Sequence, residues 1–306
     1  MHEFITLIAK IYPLYILVAC GYLAGRYFKA DRHTISSLLI YFIAPIVVFN
    51  GVATAPRTNA YLLLPFIFLT VACVLSLIFY EIGGLFWRGS ERNLLSFIAG
   101  TGNTGYFGIP LILALFGQAG LSIAVYSTLG LIIYESTRGY YVIAKSNATA
   151  VESVKKVIKL PVLYAFLAGL LCNRLGISLP ASVQSMVSYC NGAYTVLGMM
   201  ILGVVLASAT RTTFDRRFTL VSFTAKFLAY PASMALVVFF DSNYFNLFSG
   251  TVHHIMLLLS VAPIASNTVT YASYLKAHPE KAALTVALST IFALAYIPLF
   301  VIIFLK

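Results

Sequence analysis

Two clusters of uncharged polar side chains lie in otherwise apolar stretches of this sequence, each beside residues that disfavour helices. The first stretch, FIAGTGNTGYFGIPLILALFG, holds Asn103 and Thr104 among four glycines and ahead of Pro110. The second stretch, MLLLSVAPIASNTVTYASYL, holds a serine, an asparagine and a threonine shortly after Pro263. Amide and hydroxyl groups without a neighbouring acid or base suit the binding of a polar solute through hydrogen bonds more than acid/base catalysis.

Helix breakers in two separate stretches predict that two membrane-spanning helices unwind partway along their length. A glycine in a helix interior costs about 1 kcal/mol relative to alanine, and a proline costs about 3 kcal/mol. Unwound backbone at bilayer depth must face protein or a water-filled cavity, since lipid cannot satisfy its N–H and C=O groups. The N-terminal helix ends at such a break carry partial positive charge, which suits an anion. The predicted substrate-binding residues are Asn103, Thr104, Gly105, Pro110, Pro263, Ser266, Asn267 and Thr268.

Composition places the chain in a membrane. Its 306 residues are 60% hydrophobic and only 9% charged, whereas soluble domains carry about 25% charged residues. Apolar runs follow one another along the chain, and each is long enough, as a helix, for a hydrocarbon core of about 30 Å. They predict an all-α membrane protein with ten transmembrane helices, at 4–25, 34–54, 61–87, 93–117, 120–144, 160–176, 186–209, 218–240, 251–276 and 281–305.

The positive charge of the chain indicates its orientation in the membrane and not a nucleic-acid partner. The net charge is +11, but the basic residues lie mainly in short loops beside the apolar runs. Loops after odd-numbered spans hold fourteen Lys and Arg residues, and loops after even-numbered spans hold two. By the positive-inside rule the odd-numbered loops are cytoplasmic. We therefore expect a multi-pass protein of the plasma membrane with both termini outside and no nucleic-acid partner.

The order of the spans predicts an internal duplication. Five spans at 1–144, a cytoplasmic linker at 145–159 and five spans at 160–306 place the two halves in opposite orientations, because five is an odd number. The fourth and ninth spans correspond in this division, and both are interrupted. Packing and kinks explain glycine and proline in many membrane helices, but two interruptions at matching positions favour a binding site.

Few ionisable or strongly polar groups lie inside the predicted spans, where each is costly unless it faces a partner or a cavity. Glu135 and Arg138 lie three residues apart in the fifth span, on one helical face, and can pair. Lys226 in the eighth span has no evident partner nearby in sequence, and Asn50 is polar in an otherwise apolar run. Roles in coupling or gating are candidates for all four. The structural alternatives are an ion pair, a lysine that reaches the interface, and a hydrogen bond between helices.

The sequence lacks the patterns of an enzyme or a metal site. It has no HExxH motif, no paired carboxylates and no Ser/His/Asp set at a matched depth, and its four cysteines lack metal-ligand spacing. We therefore expect no catalytic residue, no metal and no cofactor.

Four segments resemble the auxin efflux carrier family of bacterial permeases and plant PIN carriers. They are GNTGYFGIPLILALFG in the fourth span, APIASNTVTYASYLKAHPEKAALTVALST from the ninth span into the tenth, SSLLIYFIAPIVVFN in the second and AKFLAYP in the eighth. The resemblance implies a fold like that of bile-acid symporters and sodium/proton antiporters, with two inverted five-helix repeats. It implies that the broken fourth and ninth helices cross at Pro110 and Pro263. It further implies a scaffold domain, a transport domain with an elevator-type movement, homodimers in many members and the bacterial inner membrane.

Members of that family carry small organic anions such as malate, malonate or auxin. We therefore predict a secondary transporter of a small organic anion, either a dicarboxylate or an auxin-like acid, that works by alternating access. Coupling to Na⁺ or H⁺ stays undecided, because neither broken span holds a carboxylate. A channel or a ligand-sensing receptor that uses the same midplane cavity is the alternative function.

Overall fold

The computed structural model describes residues 2–144, 158–208 and 214–304. Within these ranges every regular element is a helix or a helical turn, and no strand occurs. The prediction of an all-α chain is therefore confirmed for the described residues. Most of the predicted central linker, residues 145–157, lies outside them.

Six helices are described before the central linker, and several of them contain or adjoin a wider π-helical turn. The helices are α1 (His2–Tyr27), α2 (Arg32–Ala53), α3 (Ala60–Gly84), α4 (Ser90–Gly100), α5 (Ile109–Tyr134) and α6 (Tyr140–Ile143). The π-helical turns are Leu39–Ile43 within α2, Thr104–Gly108 before α5 and Glu135–Gly139 between α5 and α6.

Six further helices are described after the linker. They are α7 (Pro161–Leu175), α8 (Ala181–Ser208), α9 (Arg216–Phe245), α10 (Gly250–Ser260), α11 (Asn267–Tyr274) and α12 (Pro279–Phe304). Helix α9 contains two π-helical turns, Ala225–Ala229 in its middle and Asp241–Phe245 at its end.

Six helical stretches in the described ranges are long and apolar enough to cross a bilayer. One of them, Ser90–Ile143, runs for 54 residues, more than twice the roughly 20 residues that one crossing needs. Gly117 interrupts this stretch with a φ of 62° and a ψ of −153°, a conformation outside any helix. Two more apolar helices, α7 and α10, are shorter. The chain is thus a multi-pass helical membrane protein, and the count of ten spans stays a prediction.

Individual residues mark where helices begin and end. The Asp31 carboxylate accepts hydrogen bonds from the backbone N–H groups of His33 and Thr34, at 3.1 and 2.8 Å, at the start of α2. These bonds and one from the Thr34 hydroxyl lower the pKa of the Asp31 carboxyl. At the other end of a helix, Gly176 stops α7 with a φ of 72°, a left-handed conformation that glycine adopts without strain.

The described chain divides into two compact units, and the first of them combines α1, α2, the first part of α5, α7 and α8. It comprises the residues up to Tyr61 together with Gly105–Tyr126 and Lys159–Ser208. Glycines allow close helix contacts in this unit. A Cβ on Gly21 of α1 would meet the Met200 backbone of α8, and a Cβ on Gly203 of α8 would meet the Val18 carbonyl of α1. The amide of Asn173 in α7 donates to the carbonyls of Ala53 and Ala55, at 3.1 and 2.8 Å.

The second unit contains α3, α4, the end of α5, α6, and α9 to α12. It comprises Leu62–Thr104, Ser127–Ile158 and Ala209–Lys306, as far as these ranges are described. Its core holds a buried polar contact in which the hydroxyl of Ser96 on α4 donates to the Ser76 carbonyl of α3 at 2.7 Å. The hydroxyl of Tyr134 donates to the carbonyls of Ser96 and Phe97, at 3.1 and 3.2 Å.

One lysine joins the first turns of three helices in the second unit. Lys281 of α12 donates to Glu91 at the start of α4 and, at 2.8 Å, to Asp215, which caps α9. Acidic residues at helix N-termini are favoured by the helix dipole. The shared cation therefore connects helix starts that lie far apart in the sequence.

We expect Gly203→Ala to destabilise the protein and Gly192→Ala, in the same helix, to leave it intact. The added methyl group at 203 meets the Val18 carbonyl, whereas nothing lies within 4 Å of a Cβ at 192. Overpacking of this kind costs about 1–3 kcal/mol, while alanine for glycine on an open helix face gains up to about 1 kcal/mol. Thermal unfolding in detergent, followed by size-exclusion chromatography, measures both effects. Equal melting of the two variants would contradict the close contact of α1 with α8.

Candidate functional site

The first predicted break is present at the end of α4. Helix α4 ends at Gly100, residues 101–103 are irregular, and a π-helical turn leads into α5. Thr101 takes an extended conformation with φ −99° and ψ 162°. Three glycines within the seven residues from Gly100 to Tyr106 explain the position of this break, because glycine is a poor helix former. We call residues 101–103 the first interruption.

The second break lies between α10 and α11. Helix α10 ends at Ser260, residues 262–265 are irregular, and α11 begins at Asn267. Pro263 has no backbone N–H and disfavours a helical conformation of the residue before it, so a helix cannot pass through undisturbed. We call residues 261–266, which lie between the two helices, the second interruption.

The two interruptions contact each other inside the second unit. The backbone N–H of Asn103 donates to the carbonyl of Pro263 at 2.8 Å. The side-chain amide of Asn103 donates to the hydroxyl of Ser266 at 3.2 Å. Asn103 is only 4% exposed, so these bonds lie away from lipid. The N–H group of the first break and the carbonyl of the second thus bond to each other in place of the helical partners that each has lost. We call the two interruptions together the junction.

Glu135 connects both sides of the junction through its carboxylate. The Thr101 hydroxyl in the first interruption donates to Oε1 of Glu135, and the Asn267 amide at the start of α11 donates to Oε2 at 3.2 Å. Glu135 is 6% exposed. A buried carboxylate with two hydrogen-bond donors stabilises the relative position of those donors.

Lys226 brings a buried cation to the first interruption. It is fully buried in the π-helical turn of α9, and its Nζ lies 4.1 Å from the centroid of the Tyr230 ring. A Cβ on Gly102 would stand 2.6 Å from this Nζ, so glycine is the residue that leaves room for the ammonium. Among the described residues the Nζ atom has no hydrogen-bond partner, and the buried hydroxyls of Tyr230 and Thr268 have none either.

The expected pairing of Glu135 with Arg138 is wrong. No ion pair joins these two described residues within 4 Å, and Glu135 bonds to Thr101 and Asn267 instead. The reason is local geometry. Residues 135–139 form a π-helical turn, in which bonds run from residue i to i+5 and side chains three apart are no longer stacked. The Arg138 Nε is buried and has no hydrogen-bond partner within residues 2–144, 158–208 and 214–304.

The remaining predicted residues are divided between the two units. Thr104 is buried at the edge of the second unit, whereas Gly105, Pro110 and Asn50 belong to the first. Pro110 lies in the first turn of α5, and the bond that Pro263 accepts comes from Asn103, seven residues earlier. Asn50 is buried in α2, where its backbone carbonyl accepts from Thr54. The substrate-binding and coupling roles of all these residues stay predictions.

Sequence reasoning missed three residues of this site. Thr101 lies between two glycines of the interruption and could have been included with Asn103 and Thr104. Tyr230 lies four residues after Lys226 on the same helical face, which is a recognisable spacing. Ser289 of α12 accepts from the backbone N–H of Ile264 at 3.1 Å, and no local pattern points to this contact.

The chain is similar to known transport proteins over nearly its whole length. The family model described as membrane transport protein matches residues 6–301. An uncharacterized transporter of Methanocaldococcus jannaschii is 24% identical over 296 residues, covering 93% of this chain and 94% of that protein. An uncharacterized transporter of Methanothermobacter thermautotrophicus is 24% identical over 201 residues, covering 62% of this chain and 65% of that protein.

These similarities indicate a transport protein and not an enzyme, as the sequence predicts. They agree with the apolar helices and with the two contacting interruptions in the second unit. The chain therefore belongs to the membrane transport protein family, which includes the auxin efflux carriers.

Proposed function

We propose that this protein is a secondary transporter of a small organic anion and that the junction binds its substrate. The observation that carries the proposal is the hydrogen bond between the Asn103 N–H and the Pro263 carbonyl, which joins two interrupted helices in a buried place. Interrupted membrane helices are the usual ligand sites of secondary transporters, because their free backbone groups and helix ends can face a solute.

The groups around the junction favour an anion. Helix α11 begins at Asn267, beside the second interruption, and a helix N-terminus carries partial positive charge. The amides of Asn103 and Asn267 supply further donors. A dicarboxylate such as malate or malonate, or an auxin-like acid, presents acceptors of the matching kind.

The proposed architecture has ten spans in two inverted repeats. The long stretch Ser90–Ile143 supports two crossings, because Gly117 leaves the helical conformation at the place where the predicted fourth and fifth spans separate. Interruptions in the corresponding fourth and ninth spans support the repeat. Cytoplasmic odd-numbered loops, outside termini and a homodimer complete this proposal.

Elevator-type alternating access requires one part of the protein to carry the substrate. The second unit is the candidate, because it holds both interruptions, Glu135 and Lys226. A channel or a receptor would use the same residues without a carrier cycle. Transport measurements separate these functions, because a carrier shows countertransport and a saturable rate.

We expect Asn103→Ala to reduce transport at least tenfold without loss of folding. The change leaves the backbone bond to Pro263 in place and removes only the side-chain amide with its bond to Ser266. Uptake of radiolabelled malonate or malate into proteoliposomes, with and without the same anion inside, gives the rate and the countertransport. Asn243→Ala, at an exposed asparagine near the end of α9, is the matched control. Normal uptake by the Asn103 variant would count against the junction as the binding site.

We expect Glu135→Gln to reduce the transport rate at least tenfold. Both carboxylate oxygens accept hydrogen bonds, and a side-chain amide offers one acceptor and one donor group in their place. One contact to the junction is therefore lost. Glu81→Gln, at an exposed carboxylate paired with Arg92, controls for the loss of a negative charge. The same proteoliposome assay, repeated with Na⁺ and pH gradients, shows whether the change alters coupling; equal rates in both variants would contradict the role of Glu135.

A further inference from the structure

The Lys226 ammonium is the strongest unexplained feature of the site. A charged group buried away from water is costly unless it is paired and hydrogen-bonded. Lys226 is fully buried, and no residue that the structure describes forms a hydrogen bond with its Nζ. The Tyr230 ring attracts the cation at 4.1 Å, but a ring face accepts none of its three N–H donors in the way an oxygen does.

Glu135 balances the charge of Lys226 without satisfying its donors. The two groups interact electrostatically across the second unit. They form no ion pair within 4 Å, and both carboxylate oxygens of Glu135 already accept other hydrogen bonds. The ammonium therefore keeps its hydrogen-bonding capacity for another acceptor.

The position of Lys226 indicates what that acceptor is. Its Nζ lies so close to Gly102, in the first interruption, that a Cβ on this glycine would stand 2.6 Å from it. The hydroxyl of Tyr230, whose ring lies beside the ammonium, is also buried and has no hydrogen-bond partner in the described part of the chain. An unsatisfied ammonium suits the oxygens of a carboxylate, which forms its strongest hydrogen bonds with cationic donors.

We infer that Lys226 is a specificity-determining residue that binds an anionic group of the transported solute beside Gly102. This inference rests on the proposed function and adds the group that selects acids over neutral analogues. Membrane-buried lysines commonly lie on substrate pathways for the same physical reason. Tyr230 is then a positioning residue, because its ring holds the ammonium against the interruption.

The experiment compares an acid with its neutral analogue in wild-type protein and in Lys226→Met. A panel of acetate, malonate, malate and indole-3-acetate first identifies the best-transported acid in proteoliposomes. Competition by that acid and by its amide then gives the preference for the charged form. We expect Lys226→Met to lower this preference by 10- to 100-fold, while Lys276→Met, at an exposed lysine, leaves it unchanged.

A double variant tests whether Lys226 recognises the acid or only balances the charge of Glu135. If Lys226 only neutralises Glu135, the double variant Lys226→Met/Glu135→Gln recovers the acid preference, because no buried charge is left unbalanced. Under our inference the double variant still lacks the preference, as does Lys226→Met. The double variant also answers the question if the single variant fails to fold.

The outcomes separate the two proposals. A wild-type protein that moves no acid of the panel overturns the proposed function, and the role of Lys226 with it. Transport by the wild type, with an unchanged acid preference in the Lys226 variants, overturns this inference alone. Loss of the preference in both variants, with the Lys276 control intact, supports it.

Discussion

The need to satisfy backbone groups away from water governs this structure. A membrane helix that unwinds exposes N–H and C=O groups that lipid cannot accept. Here the chain meets this constraint by placing one break against another, so that the Asn103 N–H bonds to the Pro263 carbonyl. Neither interruption would be stable alone, because its buried N–H and C=O groups would lack partners. Polar side chains lie around the interruptions for the same reason. Their amides and the Glu135 carboxylate find hydrogen-bond partners there, away from lipid.

Two buried charged residues, Glu135 and Lys226, lie beside that contact and differ in their hydrogen bonds. The carboxylate of Glu135 accepts hydrogen bonds from both sides of the junction, so it stabilises the contact between them. The Lys226 ammonium makes no hydrogen bond to any described residue and lies over the Tyr230 ring, beside Gly102. In the function that we propose, Glu135 keeps its structural bonds and Lys226 binds the anionic solute.

Much of this site could be predicted from local sequence, and the remainder depends on contacts between distant elements. Glycine and proline marked both interruptions, and Asn103, Pro263, Ser266 and Asn267 do come together. The partners of Glu135 could not be predicted, because the i,i+3 rule assumes an α-helix where the chain forms a π-helical turn. The two compact units each draw on three separate ranges of the chain, and such grouping depends on tertiary contacts that span periodicity does not show. The span count and the inverted repeat stay predictions.

Tyr134 covers the junction on the side of α4. Its hydroxyl donates to the carbonyls of Ser96 and Phe97 in the last turn of α4, where helix carbonyls lack partners within the helix. Its ring also fills the space beside Gly100. The α4 end of the break is thereby sealed by protein. If the junction binds a solute as we propose, water that enters with the solute reaches Gly102 and Asn103 before it reaches α4. Amide hydrogens in the last turn of α4 then exchange with solvent more slowly than those of residues 101–103.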